Sequence, residues 1–236
     1  MKNILGFIVF FCVSHASSLS ATPLFVYNHG YVMGELTSVN LIGPAQRIVT
    51  GVVAVGNNSF GGENSGGDLL SGDYVLQNPW SFCGGLDYYG ELAAHIGEFV
   101  VIEYKTPKNS SLLQCQSNNE IAGLYAVSRD SPASLASEST KINMAGKTYG
   151  VSVGRVVNAQ KSDRHGDNWS VVVQVGNGGN DFLYMQIIDA DLYAFALDCL
   201  VSATRVKVYH VDLVGGVTGQ NRIDTYAWRI EARPGL

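Results

Sequence analysis

The chain has 236 residues, 20 Asp+Glu against 15 Lys+Arg, and a formal net charge of −5. An acidic chain with no basic run lacks the Lys and Arg that neutralise phosphates, so composition argues against a nucleic-acid partner. Its 27 glycines and abundant Val, Tyr and Ile favour strands over helices, and its length suits one large or two small domains.

The N-terminus is predicted to be a secretory signal peptide over residues 1–16. Lys2 precedes an apolar run from Ile4 to Val13, and Ser14-His15-Ala16 has the small-x-small form of a cleavage site. A membrane-crossing helix needs about twenty apolar residues, roughly twice the length of this run, and no later stretch is long enough. The expected compartment is therefore secreted or periplasmic, with no membrane span, and Cys12 leaves with the leader. Cys83, Cys115 and Cys199 remain. In an oxidising compartment the expected disulfide joins Cys83 to Cys115, leaving Cys199 buried and free inside an apolar helical pattern.

Two helical patterns are each followed by an alternating strand. Leu86, Tyr89, Ala93 and Ile96 recur at helical spacing and Gly97 ends the pattern, before the strand Phe99 to Lys105. Asp189 or Asp191 caps a second helix carrying Leu192, Phe195, Ala196, Cys199 and Leu200, before the strand Arg205 to His210. Placing Tyr104 on Tyr209 superimposes the two patterns without a gap. The match extends upstream, where Gly51–Val55 faces Gly154–Asn158, Tyr74–Gln77 faces Val171–Gln174, and Trp80-Ser81-Phe82 faces Phe182-Leu183-Tyr184. Downstream, Ala122–Val127 faces Asp224–Ile230. Each half reads strand, strand, strand, helix, strand, strand, the order of the OB-fold barrel. The expected fold is mainly β, a β-rich α+β chain of two tandem OB-like five-stranded barrels over 17–128 and 148–236. Residues 129–147, rich in Ser and Ala with Pro132, read as the linker.

Chemical signals are sparse. Gly150-Val151-Ser152-Val153-Gly154 fits the G-x-S-x-G pattern, but a nucleophile elbow needs a helix after the serine. Here Arg155-Val156-Val157 continues a strand, with Ser152 expected to face outward. Gly56 to Asp73 reads as a long excursion between strands, and its Glu63, Asp68 and Asp73 match no calcium loop. Ser162 to Asp167, with His165 between carboxylates, reads as a hairpin tip, as does Gly176 to Asn180. His210 is expected to point outward. No catalytic set, metal site or cofactor is expected, and the chain reads as a non-enzyme.

The run Gly85 to Thr106, with Leu113-Gln114-Cys115-Gln116-Ser117-Asn118-Asn119 and Ile121 to Ser128, resembles the helix, fourth strand and fifth strand of bacterial AB5 toxin B subunits. The resemblance covers about forty residues. It implies a secreted, disulfide-bonded OB-fold that assembles into rings and binds host-cell glycans. Asn119 coincides with a polar residue that cholera-like members use on galactose. Ser117 stands where they have a ring-stacking tryptophan, and Glu120 where they have a lysine.

The function expected from these features is an exported binding protein with a glycan or protein partner, a homo-oligomer being one expected assembly. Trp80, Asn118, Asn119, Trp169 and Trp228 are the candidate ligand-binding residues, because an aromatic face stacks on the C–H surface of a sugar. The alternative is a structural or accessory component of an envelope or secretion assembly, in which barrel strand edges add to a neighbour.

Overall fold

The computed structural model describes residues 26–42, 47–55, 78–107, 115, 117–128, 130–140, 148–162, 168–175, 181–214 and 223–233. The predicted leader, the stretch from Gly56 to Gln77, residues 163–167 and residues 176–180 lie outside the described residues.

The first barrel is built from β1 (Val26–Ile42), β2 (Ile48–Ala54), β3 (Pro79–Gly85), β4 (Phe99–Pro107) and β5 (Glu120–Ala126). Sheet order runs β1-β2-β3-β5-β4, and β4 returns to β1, closing the sheet. The second repeats this with β7 (Thr148–Ser162), β8 (Asn168–Val175), β9 (Phe182–Ile187), β10 (Arg205–Val214) and β11 (Ile223–Ala232). Its order is β7-β8-β9-β11-β10, closed by β10 on β7. A helix follows the third strand each time: a 3-10 turn Leu86–Tyr88 with α1 (Tyr89–Ala94), and α2 (Ala190–Val201). Both halves are thus OB-like closed barrels. Their buried side chains form one contiguous cluster.

The barrels are also joined as a sheet. The first half of β1 pairs antiparallel with the second half of β7, from Asn28 opposite Ser162 to Val32 opposite Asn158. Gly30 permits this approach: a Cβ there would stand 2.8 Å from the Ala159 carbonyl oxygen and 2.9 Å from the Tyr104 ring.

The internal repeat is real in topology, but its register differs from the expected one. Both first strands carry a bulge, between Leu36 and Ser38 in β1 and between Val156 and Asn158 in β7. Gly34 faces Val100 as Gly154 faces Val206, and Gly30 faces Tyr104 as Gly150 faces His210. Gly154 therefore matches Gly34 of β1, and Gly51 of β2 is not its counterpart. The sequence hides β1 because its two halves meet different neighbours, so no single alternation runs through it. Bulges between Glu103 and Tyr104 and between Tyr209 and His210 likewise set Tyr209 opposite the place of Glu103, one residue from the expected superposition. Across those bulges Tyr125 donates to Glu103 at 2.6 Å, and Tyr209 donates to Glu231 at 3.1 Å.

Three further expectations are corrected. The segment expected as linker contains β6 (Ala136–Glu138), which pairs with β11 and ties Glu138 to Arg229 at 3.0 Å. Of the first helix only Leu92 is buried, while Leu86, Tyr89 and Ile96 are exposed. A 3-10 turn and six α-helical residues change phase, so positions 86 to 96 do not share one face. Finally, β7 is inverted: Tyr149, Val151 and Val153 are exposed, while Gly154 is buried and a Cβ on Gly150 would strike the His210 ring.

The second helix forms as expected. The Asp189 side chain accepts from the Asp191 amide at 3.0 Å, and Leu192, Phe195, Ala196, Cys199 and Leu200 are buried. At its end the Thr204 amide bonds the Cys199 carbonyl and the Ala203 amide the Leu200 carbonyl, with Ala203 at φ 49.

Candidate functional site

A groove of about 970 Å³ opens beside the joint between the barrels. Its base is apolar, formed by Val32, Val157, Val171 and Met185. Tyr104 of β4 lies there too, donating to Gln160 Oε1 at 3.1 Å and accepting from Asn158 Nδ2 at 3.3 Å. Burial pushes the Tyr104 phenol pKa up, with the Asn158 bond opposing.

The wall from the first barrel comes from the start of β3 and the segment before β5. Trp80 packs its ring 4.9 Å from that of Tyr104. Ser117 donates to the Ser81 carbonyl at 2.6 Å and Asn119 Nδ2 donates to the same oxygen at 3.1 Å. Thr106 donates to Asn119 Oδ1 at 3.3 Å. The expected disulfide is present: Cys83 of β3 is bonded to Cys115, Cα to Cα 5.8 Å, fixing this segment to the barrel. Both ends of the Asn119 amide are thus engaged within the wall, and Asn118, exposed beside it, faces solvent at the groove.

The opposite wall comes from the second barrel. Asn158 and Gln160 of β7, Ser170 and Val172 of β8, and Phe182, Tyr184 and Gln186 of β9 line it. Tyr184 is 71% exposed, an aromatic face held open to water. Amides, hydroxyls and aromatic rings surround the groove, and among the described residues no Asp, Glu, Lys or Arg lines it.

Of the five expected binding residues, Trp80, Asn118 and Asn119 meet here. Trp169 stacks on Tyr193 of α2 at 6.2 Å, and Trp228 lies against Tyr209 at 5.4 Å; neither lines the groove. Tyr184 and Tyr104 were not among the expected residues. The signal for Tyr184 was present in the match of its strand to Trp80-Ser81-Phe82, since it places aromatics on both third strands.

The other chemistry-bearing side chains among the described residues lie apart from the groove. Ser152 sits within a strand, 3.3 Å from His210 Nε2. Burial lowers the His210 pKa, with Asp212 opposing, and its Nδ1 is buried with no hydrogen-bond partner, so no carboxylate orients the ring. His210 is therefore half-buried and does not point outward. His29 pairs with Glu103 at 2.6 Å, partly buried, and His95 with Glu98 at 2.7 Å on the surface, two separate contacts. Cys199 is free and buried, its thiol pushed up to about 12 by burial, with Asp198 adding to the shift. Among the described residues no group of three His, Cys, Asp or Glu is placed to hold a metal, and no helix is long and apolar enough to cross a membrane.

No family model and no curated protein matches the chain. Two solved structures are similar over most of its length: the wild-type single-stranded DNA binding protein of Thermus aquaticus, and a deletion mutant of it. They are 12% and 13% identical, cover 89% of this chain and 95% and 96% of their own, and each has a TM-score of 0.25. Both are by name single-stranded DNA binding proteins, against the expectation, drawn from net charge, of no nucleic-acid partner. Net charge sums the whole chain and says nothing of how charge is distributed over any one face. At that TM-score they assign no ligand to this chain.

Proposed function

We propose that the chain is an exported, non-enzymatic protein that binds a neutral glycan in the groove between its two barrels. The carrying observation is the lining: the exposed Tyr184 ring and Trp80 on opposite walls, uncharged amides and hydroxyls around them, and an apolar base. A sugar presents C–H faces that stack on aromatic rings and hydroxyls that exchange hydrogen bonds with amides. Among the described residues the lining carries no charged side chain, which suits a neutral ligand. Export to a secreted or periplasmic location is supported by the leader-like start and by the disulfide, which persists in oxidising compartments. The resemblance to AB5 toxin B subunits points to the same ligand class, with the difference that this groove uses both barrels.

A glycan array on the exported chain, followed by calorimetric titration of the hits, tests the proposal. Neutral oligosaccharides are expected to bind, with affinity falling at least tenfold in Trp80→Ala and in Tyr184→Ala. Absence of glycan binding at millimolar concentration, or binding untouched by both substitutions, overturns it.

A further inference from the structure

We propose that the chain assembles with further copies of itself head to tail, by repeating between molecules the strand joint that links its own two barrels. The internal joint uses the first half of β1 and the second half of β7, from Asn28 opposite Ser162 to Val32 opposite Asn158. These halves are not equivalent under the repeat. The shared bulges and glycines match Asn158 to Ser38, and Gly30 to Gly150. The joint therefore consumes one end of each first strand and leaves the other two ends: residues 149–152 of β7 and residues 38–41 of β1.

Among the described residues, each leftover segment keeps open the edge that its counterpart uses. Over 28–32, β1 is held by β4 on one side and takes β7 on the other; over 149–152, β7 is held by β10 on one side, and no strand among the described residues pairs on the other. Residues 38–41 pair with β2, and their other edge carries no strand among the described residues. The two free edges match each other as the two joined ones do. Transposed, the register places Tyr149 opposite Leu41 of a second copy, Val151 opposite Val39, and Ser152 opposite Ser38. Asn40 of that copy comes over Gly150 beside His210, as Gln160 lies over Gly30 beside Tyr104.

Side-chain burial points to the same occupant. Met33 in the joined strand is 3% exposed and Tyr31 packs against the core cluster. Their counterparts Val153 and Val151 are 36% and 53% exposed, and Tyr149 beside them 49%. Three apolar side chains in a row on an open strand edge are a surface that monomeric proteins normally blunt with charge. A second copy supplies the missing strand. The contact is heterologous, so each added copy presents the same two ends and growth either closes into a ring or continues.

Light scattering of the exported chain from about 1 to 100 μM tests this, and species larger than a dimer are expected. Val151→Lys, on a side chain open to water, is expected to raise the dissociation constant at least tenfold while circular dichroism and thermal midpoint stay those of the parent. Mixing Val151→Cys with Val39→Cys under mild oxidation is expected to yield crosslinked dimers that neither variant gives alone. A monomer throughout the range, a crosslink formed by Val151→Cys with itself, or an association indifferent to Val151→Lys overturns the proposal. Because the glycan groove lies at the internal joint, loss of self-association with glycan binding intact separates the two proposals.

Discussion

Tyr104 of the first barrel donates its phenol hydrogen to Oε1 of Gln160 in the second at 3.1 Å. The bond crosses the joint over Gly30, where a Cβ would stand 2.8 Å from Gln160 Cβ and 2.9 Å from the Tyr104 ring. Asn158 Nδ2 donates to the Tyr104 hydroxyl oxygen at 3.3 Å, so one buried hydroxyl satisfies two amides of the neighbouring barrel.

Tyr104→Phe keeps the ring and removes this crossing. The two amides lose a buried partner, a loss that costs about 1–3 kcal/mol. Urea unfolding is expected to show a lower midpoint with an unchanged slope, because the surface exposed on unfolding stays the same. A midpoint equal to the parent's would mean that the joint rests on its strand pairing and apolar contacts alone.

Reducing the Cys83–Cys115 disulfide releases the segment carrying Asn118 and Asn119 from β3. Closing a loop of 32 residues stabilises by roughly 3–4 kcal/mol on the chain-entropy view. Reductant is expected to lower the thermal midpoint and, at temperatures where the barrels remain folded, to weaken glycan binding. Hydrogen exchange at Ser117 to Asn119 reports the segment directly, and protection unchanged on reduction would show that its hydrogen bonds to Ser81 suffice.

Acid acts through Glu103. Desolvation raises its pKa, but hydrogen bonds from Tyr125 and His29 and the charges of His29 and Lys105 outweigh it, so the carboxyl titrates below its ordinary 4.5. A carboxylate lowered in the folded state contributes stability that is present above its unfolded value and lost as pH falls through the folded one. Stability is therefore expected to fall below about pH 4.5 more steeply in the parent than in Glu103→Gln, as read from denaturant midpoints at pH 3 to 7. Parallel profiles would remove Glu103 from the acid response. The same bond pushes the Tyr125 phenol up to about 12, with burial adding to it, so an ultraviolet titration of Tyr125 moves toward ordinary phenol values in that variant.

Ala203 holds a left-handed conformation, φ 49, at the end of α2, where glycine is the usual residue. Ala203→Gly removes the Cβ conflict and adds chain entropy to the unfolded state, two effects of about 1 kcal/mol each and opposite sign. The methyl lies in the core cluster, 8% exposed, and its loss tips the balance. Stability is expected to change by less than about 1 kcal/mol, and a gain beyond that in thermal unfolding would show real strain at the cap.

The barrel order, the second helix with its cap and the disulfide were legible in the sequence because each rests on local chemistry. Asp189 caps through its own side chain, and the apolar residues of α2 fall on one face of an unbroken helix. What failed depended on neighbours far along the chain. Tyr149, Val151 and Val153 alternate as a buried strand would, yet they face out, because Gly150 and Gly154 occupy the crowded inner face where the barrel closes. The groove was half legible: Trp80, Asn118 and Asn119 come from one local unit, whereas Tyr184 joins them only through the pairing of β1 with β7.

The carboxylate and phenol that meet across the bulged strands exchange places between the barrels, glutamate on the fourth strand and tyrosine on the fifth in one, the reverse in the other. The halves cannot then be interchanged one amino acid at a time: copying either residue alone from its counterpart leaves two acids or two phenols facing each other. A chimera of the two units has to transplant both strands of the hairpin together, and a lineage passing from one arrangement to the other must cross a mismatched intermediate.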